Sequence, residues 1–280
     1  SGKSVTALAI MQLIREPPGR VTADRLSLDG VDLVALPPRQ RRAYRGRQIA
    51  MVFQEPMTSL DPVFTIGAQM HETIRLHQGL GRRQALQAAG DMLAQVDIAA
   101  PGDVLGKYPD QLSGGMRQRV MIAMALACSP KLLIADEPTT ALDVTIQAQV
   151  LDLINKLKEK YGISMILITH NLGVVAQTCD YVAVIYAGKI IEYGSKRDIF
   201  IDHAHPYTHG LFASLPSFSI DALRLKPITG SMPDPTQLPP GCAFHPRCPF
   251  VIEECSHGEI PLMEISPGHL CRCCNIQPKG

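Results

Sequence analysis

The chain has no tryptophan, and aromatic residues make up only 5% of its 280 residues. Its formal net charge is +1, so no strong field of one sign favours nucleic acid or an acidic partner. No apolar run approaches the roughly 20 residues that cross a bilayer, and the N-terminus has no signal-like pattern. With 46% hydrophobic residues, the composition predicts an aliphatic α/β core in a cytosolic protein.

An apolar run at residues 132–135 is followed directly by Asp136, Glu137 and Pro138. The run predicts a parallel strand covered on both faces, and such sheets bind ligands at the carboxyl ends of their strands. One carboxylate suits a hydrated Mg²⁺, and the other suits a water molecule that needs polarising. A lone Asp-Glu pair is more typical of a solvated turn, so this interpretation depends on phosphate-binding motifs elsewhere.

The run Ser113-Gly114-Gly115 precedes a predicted helix. It offers a hydroxyl and unobstructed backbone N–H groups, which together suit a phosphate. Taken alone, such a run is typical of a helix N-cap.

The first four residues, Ser1-Gly2-Lys3-Ser4, match the second half of the phosphate-binding loop G-x-x-x-x-G-K-S/T. In that loop Lys3 would reach the β- and γ-phosphates, and the Ser4 hydroxyl would ligate Mg²⁺. Because the loop needs an earlier glycine and a strand, we expect roughly 40 further residues before Ser1.

Strand and helix patterns alternate along the first 200 residues. Residues 49–53 predict a buried strand that ends at Gln54, and residues 164–169 predict another that ends at His170. Gln54 is a candidate to coordinate Mg²⁺ or orient a water molecule, and His170 is a candidate to contact a γ-phosphate. Helical patterns between the two strands predict a subdomain and one further helix, at residues 66–77, 82–96, 112–127 and 144–161.

Three other segments have a distinctive composition. Five arginines between residues 39 and 47 predict a solvated surface loop, since no aromatic residues interleave with them for base stacking. Residues 181–186 and 189–193 predict a hairpin. Residues 227–240 hold five prolines and predict an extended linker.

Six of the eight cysteines fall in the last 39 residues. In a cytosolic protein, such clustering favours a metal or cluster site over disulfides. The spacing matches neither a zinc ribbon nor a ferredoxin, so zinc and iron–sulfur remain equal alternatives, with unliganded cysteines as a third. The six residues are Cys242, Cys248, Cys255, Cys271, Cys273 and Cys274.

Taken together, these motifs resemble the nucleotide-binding subunits of ABC transporters over nearly the whole chain. SGKS resembles the Walker A loop, LSGGMRQR the family signature and LLIADEP the Walker B strand. Gln54 corresponds to the Q-loop glutamine, the run Ala141-Leu142-Asp143 to the D-loop, and His170 to the switch histidine. Met116 departs from the glutamine that is usual in the signature. The resemblance implies an α/β P-loop NTPase fold with a helical subdomain inserted at about residues 66–127.

A narrower resemblance is to the ATPases of dipeptide and oligopeptide importers. Residues 54–62 (QEPMTSLDP) resemble their Q-loop, and HPYT at residues 205–208 resembles the start of their C-terminal extension. The resemblance implies an ATPase domain at 1–200 and an extension with a cysteine cluster at 201–280. Nickel importers share these features, so a nickel importer is the alternative cargo assignment.

The resemblance also implies roles for individual residues. In this family two nucleotide-binding domains close head to tail, so each ATP lies between one Walker A loop and the partner's signature. Glu137 would polarise the attacking water and His170 would hold the γ-phosphate, while Mg²⁺ would bind Ser4, Gln54 and Asp136. ATP binding is expected at Ser1, Gly2, Lys3, Ser4, Gln54, Asp136, Asp143, Ser113, Gly114 and Gly115.

Several peptide-importer ATPases carry a 4Fe–4S cluster in the extension, and this resemblance favours iron–sulfur over Zn²⁺. Cys242, Cys248 and Cys255 would be three of its ligands. The family's final cysteine falls four residues after a histidine, which selects Cys273; Cys271 and Cys274 stay alternatives. The cluster would staple a proline-rich tail rather than transfer electrons.

The importer assignment implies partners and a location. The partners are a second, different ATPase subunit, two transmembrane permease subunits and a substrate-binding protein, with no nucleic acid. The chain would lie peripherally on the cytoplasmic face of the cell membrane. A soluble ABC-type ATPase of DNA repair or translation is disfavoured, because no long coiled-coil insertion or second ATPase half is present. A metal-binding module with a vestigial ATPase is disfavoured by the intact Glu137, His170 and LSGG.

Overall fold

The computed structural model describes residues 2–54, 59–139, 143–214 and 227–276. The chain forms two compact units. One is Ser4–Val174, and the other is Val175–Gly280 together with Ser1–Lys3.

A three-stranded parallel sheet lies at the centre of the first unit. Its strands, in spatial order, are β3 (Ile49–Val52), β4 (Leu132–Asp136) and β5 (Ser164–Ile168). The register aligns Val52 with Ala135, and Asp136 with Ile168, so the three carboxyl ends meet at one edge. The middle residues of β4 are at most 2% exposed, as the uninterrupted apolar run predicts. The predicted α/β class is confirmed.

Helices and a short hairpin complete this unit. The long helix Val144–Tyr161 has the bounds that were predicted. In the structure, Asp143 caps its first turn, and Gly162 ends it with φ 62 in the left-handed region. The elements before β4 are α1 (Lys3–Ile10), β1 (Ser27–Leu28), β2 (Val31–Asp32), α2 (Pro38–Tyr44), α3 (Ile66–Gln78), α4 (Arg82–Gln95), α5 (Pro101–Leu105), a 3₁₀ turn (Pro109–Gln111) and α6 (Gly114–Leu126). The long helix is α7, and α8 (Leu172–Thr178) follows β5.

The predicted helical subdomain buries one face of each of its longer helices. In α3 the residues Ile66, Met70 and Ile74 recur every four positions and are fully buried. In α4, Ala85 and Ala89 are also four positions apart and fully buried. Burying each large aliphatic side chain contributes about 1.5–3 kcal/mol, so this spacing holds the helices together.

The arginine run is solvated as predicted, since α2 has no buried residue, but the prediction of a loop was wrong. Residues 38–44 form α2, which begins at a proline in its first turn. Arg41 Nε donates to the backbone carbonyl of Leu36 at 2.5 Å, and Arg45 Nη1 donates to that of Gln12 at 2.9 Å. These arginines therefore satisfy carbonyls within the fold.

The second unit contains a four-stranded antiparallel sheet. The predicted hairpin is confirmed as β6 (Tyr181–Tyr186) and β7 (Lys189–Ser195). Two strands that were not predicted, β8 (Met263–Ser266) and β9 (His269–Cys271), extend it in the order β6-β7-β9-β8. The other elements are α9 (Lys196–Phe200), α10 (Pro206–Ala213) and the 3₁₀ turns His245–Arg247 and Glu253–Ser256.

Aromatic rings pack together in this second unit. Tyr186 lies 4.6 Å from Tyr207 and 5.4 Å from Phe244, measured between ring centroids. Residues 227–240 form neither helix nor strand, in agreement with the predicted linker. Over the ranges that the structure describes, no helix is both long enough and apolar enough to cross a membrane.

Candidate functional site

Asp136 and Ser4 form the first part of the site. Asp136 is the last residue of β4 and is only 4% exposed. Its Oδ1 accepts a hydrogen bond of 3.2 Å from the Ser4 hydroxyl in the first turn of α1. A carboxylate beside a hydroxyl is a pair of hard oxygen ligands that suits Mg²⁺.

The rest of the phosphate-loop remnant precedes this pair. Lys3 is the first residue of α1, and Gly2 has φ 92, a backbone conformation that favours glycine. A glycine turn that opens a helix is the local geometry of a phosphate-binding loop. Ser1 lies outside the described residues.

Glu137 lies between two side chains that were predicted to belong to the same site. Its Oε2 accepts a hydrogen bond of 3.2 Å from Gln54 Nε2, and its Oε1 lies 3.1 Å from His170 Nδ1. Glu137 has φ 46, and its N–H donates to the carbonyl of Ile168 at 2.8 Å. The glutamate side chain is 16% exposed, whereas that of His170 is 71% exposed.

The sheet explains why these three residues meet. Gln54, Glu137 and His170 follow β3, β4 and β5, and the carboxyl ends of adjacent parallel strands lie at one edge. An ionised carboxylate only accepts, so the Gln54 amide nitrogen and the His170 Nδ1–H must face it. The Gln54 carbonyl oxygen therefore lies on the other side of its amide, where a cation would meet it, and His170 Nε2 lies on the far side of the ring from Glu137.

The signature residues lie at the start of α6. Ser113 caps the helix by accepting a hydrogen bond of 3.4 Å from the N–H of Met116. Ser113 and Gly114 are exposed. A Cβ added at Gly115 would lie 3.2 Å from Cγ2 of Ile146 in α7, so this glycine permits close helix packing.

Asp143 caps α7, because its Oδ1 accepts a hydrogen bond of 2.9 Å from the N–H of Ile146. Its contact therefore fixes the start of a helix, and its side chain is on the surface. Ala141 and Leu142 lie outside the described residues.

Five cysteines of the second unit line one narrow cavity of about 10 Å³. The cysteines that line it are Cys242, Cys248, Cys255, Cys273 and Cys274. Cys271 is buried in β9 and is not one of the lining residues. Cys274 is exposed, and its Sγ lies 3.1 Å from that of Cys255. None of the eight cysteines, all of which lie in the described ranges, forms a disulfide.

The surroundings of these thiols disfavour their ionisation in the absence of a cation. Burial, together with the neighbouring thiols of Cys242, Cys255 and Cys248, raises the pKa of Cys273 to about 11. Burial likewise raises the pKa of Cys242 and of Cys248. A bound metal reverses such shifts, because its charge stabilises every thiolate that ligates it.

Cysteine thiolates ligate both Zn²⁺ and iron–sulfur clusters, so the donor type of this cavity suits either group. In the described ranges, no three His, Cys, Asp or Glu side chains meet at the separation that one metal ion requires. A cluster is larger than an ion, so its cysteines surround a wider space. The cavity is narrow, so the cysteine side chains would turn outward to admit it.

Two buried residues beside this cavity were missed by the sequence analysis as contributors to the site. Glu192 is fully buried and accepts hydrogen bonds from the N–H groups of Ala204 and His205, at 2.6 and 3.1 Å. Its Oε1 also lies 2.9 Å from Nε2 of the buried His269. His205 is 1% exposed and lines the cysteine cavity. The only sequence signals were an acid within an apolar strand and a histidine at a helix start.

Comparison with known protein families agrees with this geometry. The family model described as ABC transporter matches residues 1–140. The model described as oligopeptide/dipeptide transporter, C-terminal region, matches residues 191–255.

Curated relatives match along the whole chain. The oligopeptide transport ATP-binding protein AppD of Bacillus subtilis is 45% identical, with 100% of this chain and 85% of the relative covered. The dipeptide transport ATP-binding protein DppD of Escherichia coli is 48% identical, with 98% and 83% covered. A dimeric structure of the ATP-binding cassette MJ0796 in a post-hydrolysis state, bound to ADP and Pi, superposes with a TM-score of 0.60 at 25% identity, covering 70% of this chain and 81% of that one. The chain therefore belongs to the ATP-binding proteins of ABC transporters, in the oligopeptide/dipeptide import family.

Proposed function

We propose that this chain hydrolyses ATP to power the import of dipeptides or oligopeptides. One observation carries the proposal: the Glu137 carboxylate lies between Gln54 and His170 at the end of the central strand, next to the Ser4–Asp136 pair. The residues that we propose as general base, cation ligands and phosphate contact are thus neighbours at one sheet edge. Relatives named for dipeptide and oligopeptide transport support the cargo.

In this proposal ATP and Mg²⁺ bind at the start of α1 and the end of β4. Ser1, Gly2 and Lys3 hold the phosphates, and Ser4 and Asp136 ligate Mg²⁺. The direct hydrogen bond between Ser4 and Asp136 supports this pairing, since both oxygens can face one cation. Gln54 adds its carbonyl oxygen, which faces away from Glu137. The bound ion would neutralise charge that develops on the phosphate oxygens.

Glu137 acts as the general base for the attacking water, and His170 contacts the γ-phosphate. The hydrogen bonds from Gln54 and His170 hold the carboxylate in place before a water molecule binds. Such preorganisation matters because phosphoryl transfer depends mainly on positioning and charge stabilisation.

The signature run Ser113-Gly114-Gly115 closes over ATP that is bound to a second ATP-binding subunit. Its exposed hydroxyl and N–H groups at a helix start support this role. The dimeric state of the cassette MJ0796 supports a pair of cassettes. We propose a heterodimer in which Asp143 also contributes to the shared nucleotide site.

The remaining partners are two permease subunits and a substrate-binding protein, and the chain works at the cytoplasmic face of the membrane. We propose residues 1–200 as the ATPase domain and residues 201–280 as the extension. This division concerns function, whereas the compact units divide after Val174.

The extension binds a 4Fe–4S cluster through Cys242, Cys248, Cys255 and Cys273. The convergence of these four thiols on one cavity supports the assignment. Cys274 also lines the cavity and is the alternative fourth ligand, with Cys271 as the other. When bound, the cluster would cross-link and stabilise irregular segments that lack an aliphatic core of their own.

The cargo is tested in the assembled transporter, by measuring ATP turnover with its substrate-binding protein. We expect peptide-loaded binding protein to stimulate turnover and nickel to leave it unchanged. Stimulation by nickel alone would favour the second candidate, a nickel importer. Turnover that responds to neither would contradict the importer function.

The cluster is tested separately by metal analysis after anaerobic purification. We expect about four irons and four sulfides per chain, the stoichiometry of one cluster. Stoichiometric zinc in a colourless protein would contradict the cluster and leave the ATPase proposal standing.

A further inference from the structure

The His205 ring has a defined orientation at the cysteine cavity. His205 is the N-cap of α10, and its Nδ1 accepts a hydrogen bond of 3.0 Å from the N–H of Tyr207. Because Nδ1 accepts, the single ring proton is on Nε2.

That proton lacks a well-formed acceptor. Among the residues that the structure describes, Nε2 is buried with no partner of hydrogen-bonding geometry. The backbone carbonyl of Arg272 lies close enough to raise the pKa of the ring, yet Nε2 forms no hydrogen bond with it. A buried N–H without a partner costs about 1–3 kcal/mol, so an acceptor in the cavity would be favoured.

The backbone around His205 cannot easily move the ring elsewhere. The buried Glu192 carboxylate accepts from the N–H groups of both Ala204 and His205, which fixes the segment at the start of α10. The ring lies among the residues that line the cavity, and five of the other lining residues are cysteines, whose sulfurs can accept a hydrogen bond. Thiolates and cluster sulfides both accept N–H hydrogen bonds.

We propose that His205 Nε2–H donates a hydrogen bond to a sulfur of the cluster site formed by Cys242, Cys248, Cys255 and Cys273. His205 is then a positioning residue that stabilises the thiolate-bound group from outside its ligand shell. This inference rests on the proposed cluster. The donated proton places partial positive charge beside the sulfur, which favours the reduced state of the cluster.

Two substitutions distinguish the role of His205 Nε2–H as a hydrogen-bond donor from the role of Nδ1 as the cap of α10. His205→Asn keeps an acceptor for the Tyr207 N–H, since asparagine is a good N-cap, and removes the group at Nε2. His205→Gln places an amide N–H near the Nε2 position. His209→Asn, on the exposed side of the same helix, is the matched control.

The measurements are the reduction potential of the reconstituted cluster and the rate at which a chelator removes its iron. We expect His205→Asn to shift the potential to more negative values and to speed iron loss at least about tenfold, the lower end of outer-shell effects. His205→Gln should retain the wild-type potential, as should His209→Asn.

Equal potentials in the wild type and His205→Asn would overturn the inference. So would a shift of equal size in His205→Asn and His205→Gln, because both would then report altered packing and not a lost donor. The iron and sulfide content of the wild type tests the cluster itself. A wild-type chain without them overturns the cluster and this inference together.

Discussion

The two units hold their candidate sites by different physical means. In the first unit, the residues around Glu137 follow strands whose backbone hydrogen bonds and aliphatic core fix their positions. In the second unit, the cysteines lie mostly on irregular segments beside an aromatic cluster and a buried carboxylate. Regular secondary structure therefore holds the side chains of the first site, whereas we expect the second site to depend on the proposed cluster.

The largest effect is expected from a change at the preformed site. Glu137→Gln keeps the size of the side chain but removes the base, so ATP hydrolysis should fall by about 10²–10⁴-fold. ATP binding should persist. Single-turnover hydrolysis and nucleotide binding in the assembled complex measure the two properties separately.

The matched control is Glu159→Gln, on the exposed face of α7. It should hydrolyse ATP at the wild-type rate. Wild-type turnover in Glu137→Gln would contradict the proposal that Glu137 is the general base.

The second prediction tests whether the other site depends on its ligand. Cys255→Ser should abolish cluster binding and expose residues 227–276 to protease at least about tenfold faster, since it removes one of the ligands that stabilise the tail. Iron analysis and limited proteolysis measure this. Cys128→Ser, a partly buried thiol of the first unit, should leave both readouts unchanged. Equal protease resistance of Cys255→Ser and the wild type would mean that the tail folds without a bound cluster.

The third prediction concerns what holds the second unit besides the thiols. Glu192→Gln replaces a buried carboxylate that receives two backbone N–H groups and His269. We expect a loss of about 3 kcal/mol, because an amide cannot accept from all three. Hydrogen exchange of the β6 and β7 amides measures the opening free energy.

Its control is Glu259→Gln, whose exposed carboxylate pairs with Lys189 at 3.4 Å and Arg272 at 3.8 Å. Exposed changes of this type usually alter stability by no more than about 0.5 kcal/mol. Equal effects of the two substitutions would mean that the buried carboxylate has no special role.

The smallest effect tests the close packing of the first unit. A Cβ added at Gly67 in α3 would lie 2.7 Å from the carbonyl oxygen of Leu105, so Gly67→Ala should cost about 1–3 kcal/mol. Gly90→Ala in α4 meets the same residue at 3.8 Å and should gain about 0.5–1 kcal/mol. Thermal unfolding compares them, and a stabilising Gly67→Ala would show that α3 and α5 can separate without cost.

Local signals in the sequence were sufficient for much of the first unit. Helix α7 was predicted from its amphipathic pattern and the stop at Gly162, and the structure adds the Asp143 cap. The meeting of Gln54, Glu137 and His170 followed from the rule that parallel strands end at one edge. The rule did not predict which side chains form hydrogen bonds at that edge, since it says nothing about which carboxylate Gln54 contacts.

Long-range contacts explain what could not be predicted. The arginine run forms a helix in which Arg45 bonds the carbonyl of Gln12, a partner 33 positions away. Glu192 sits in an apolar strand, and its partners come from the start of α10 and from β9. No local pattern marks a buried carboxylate whose hydrogen-bond donors are so far along the chain.

At Glu137, the backbone conformation that costs stability occurs at the residue whose carboxylate is proposed for catalysis. A non-glycine residue with φ 46 pays a conformational cost that glycine avoids. Glycine at this position would relax the turn after β4 while removing the carboxylate.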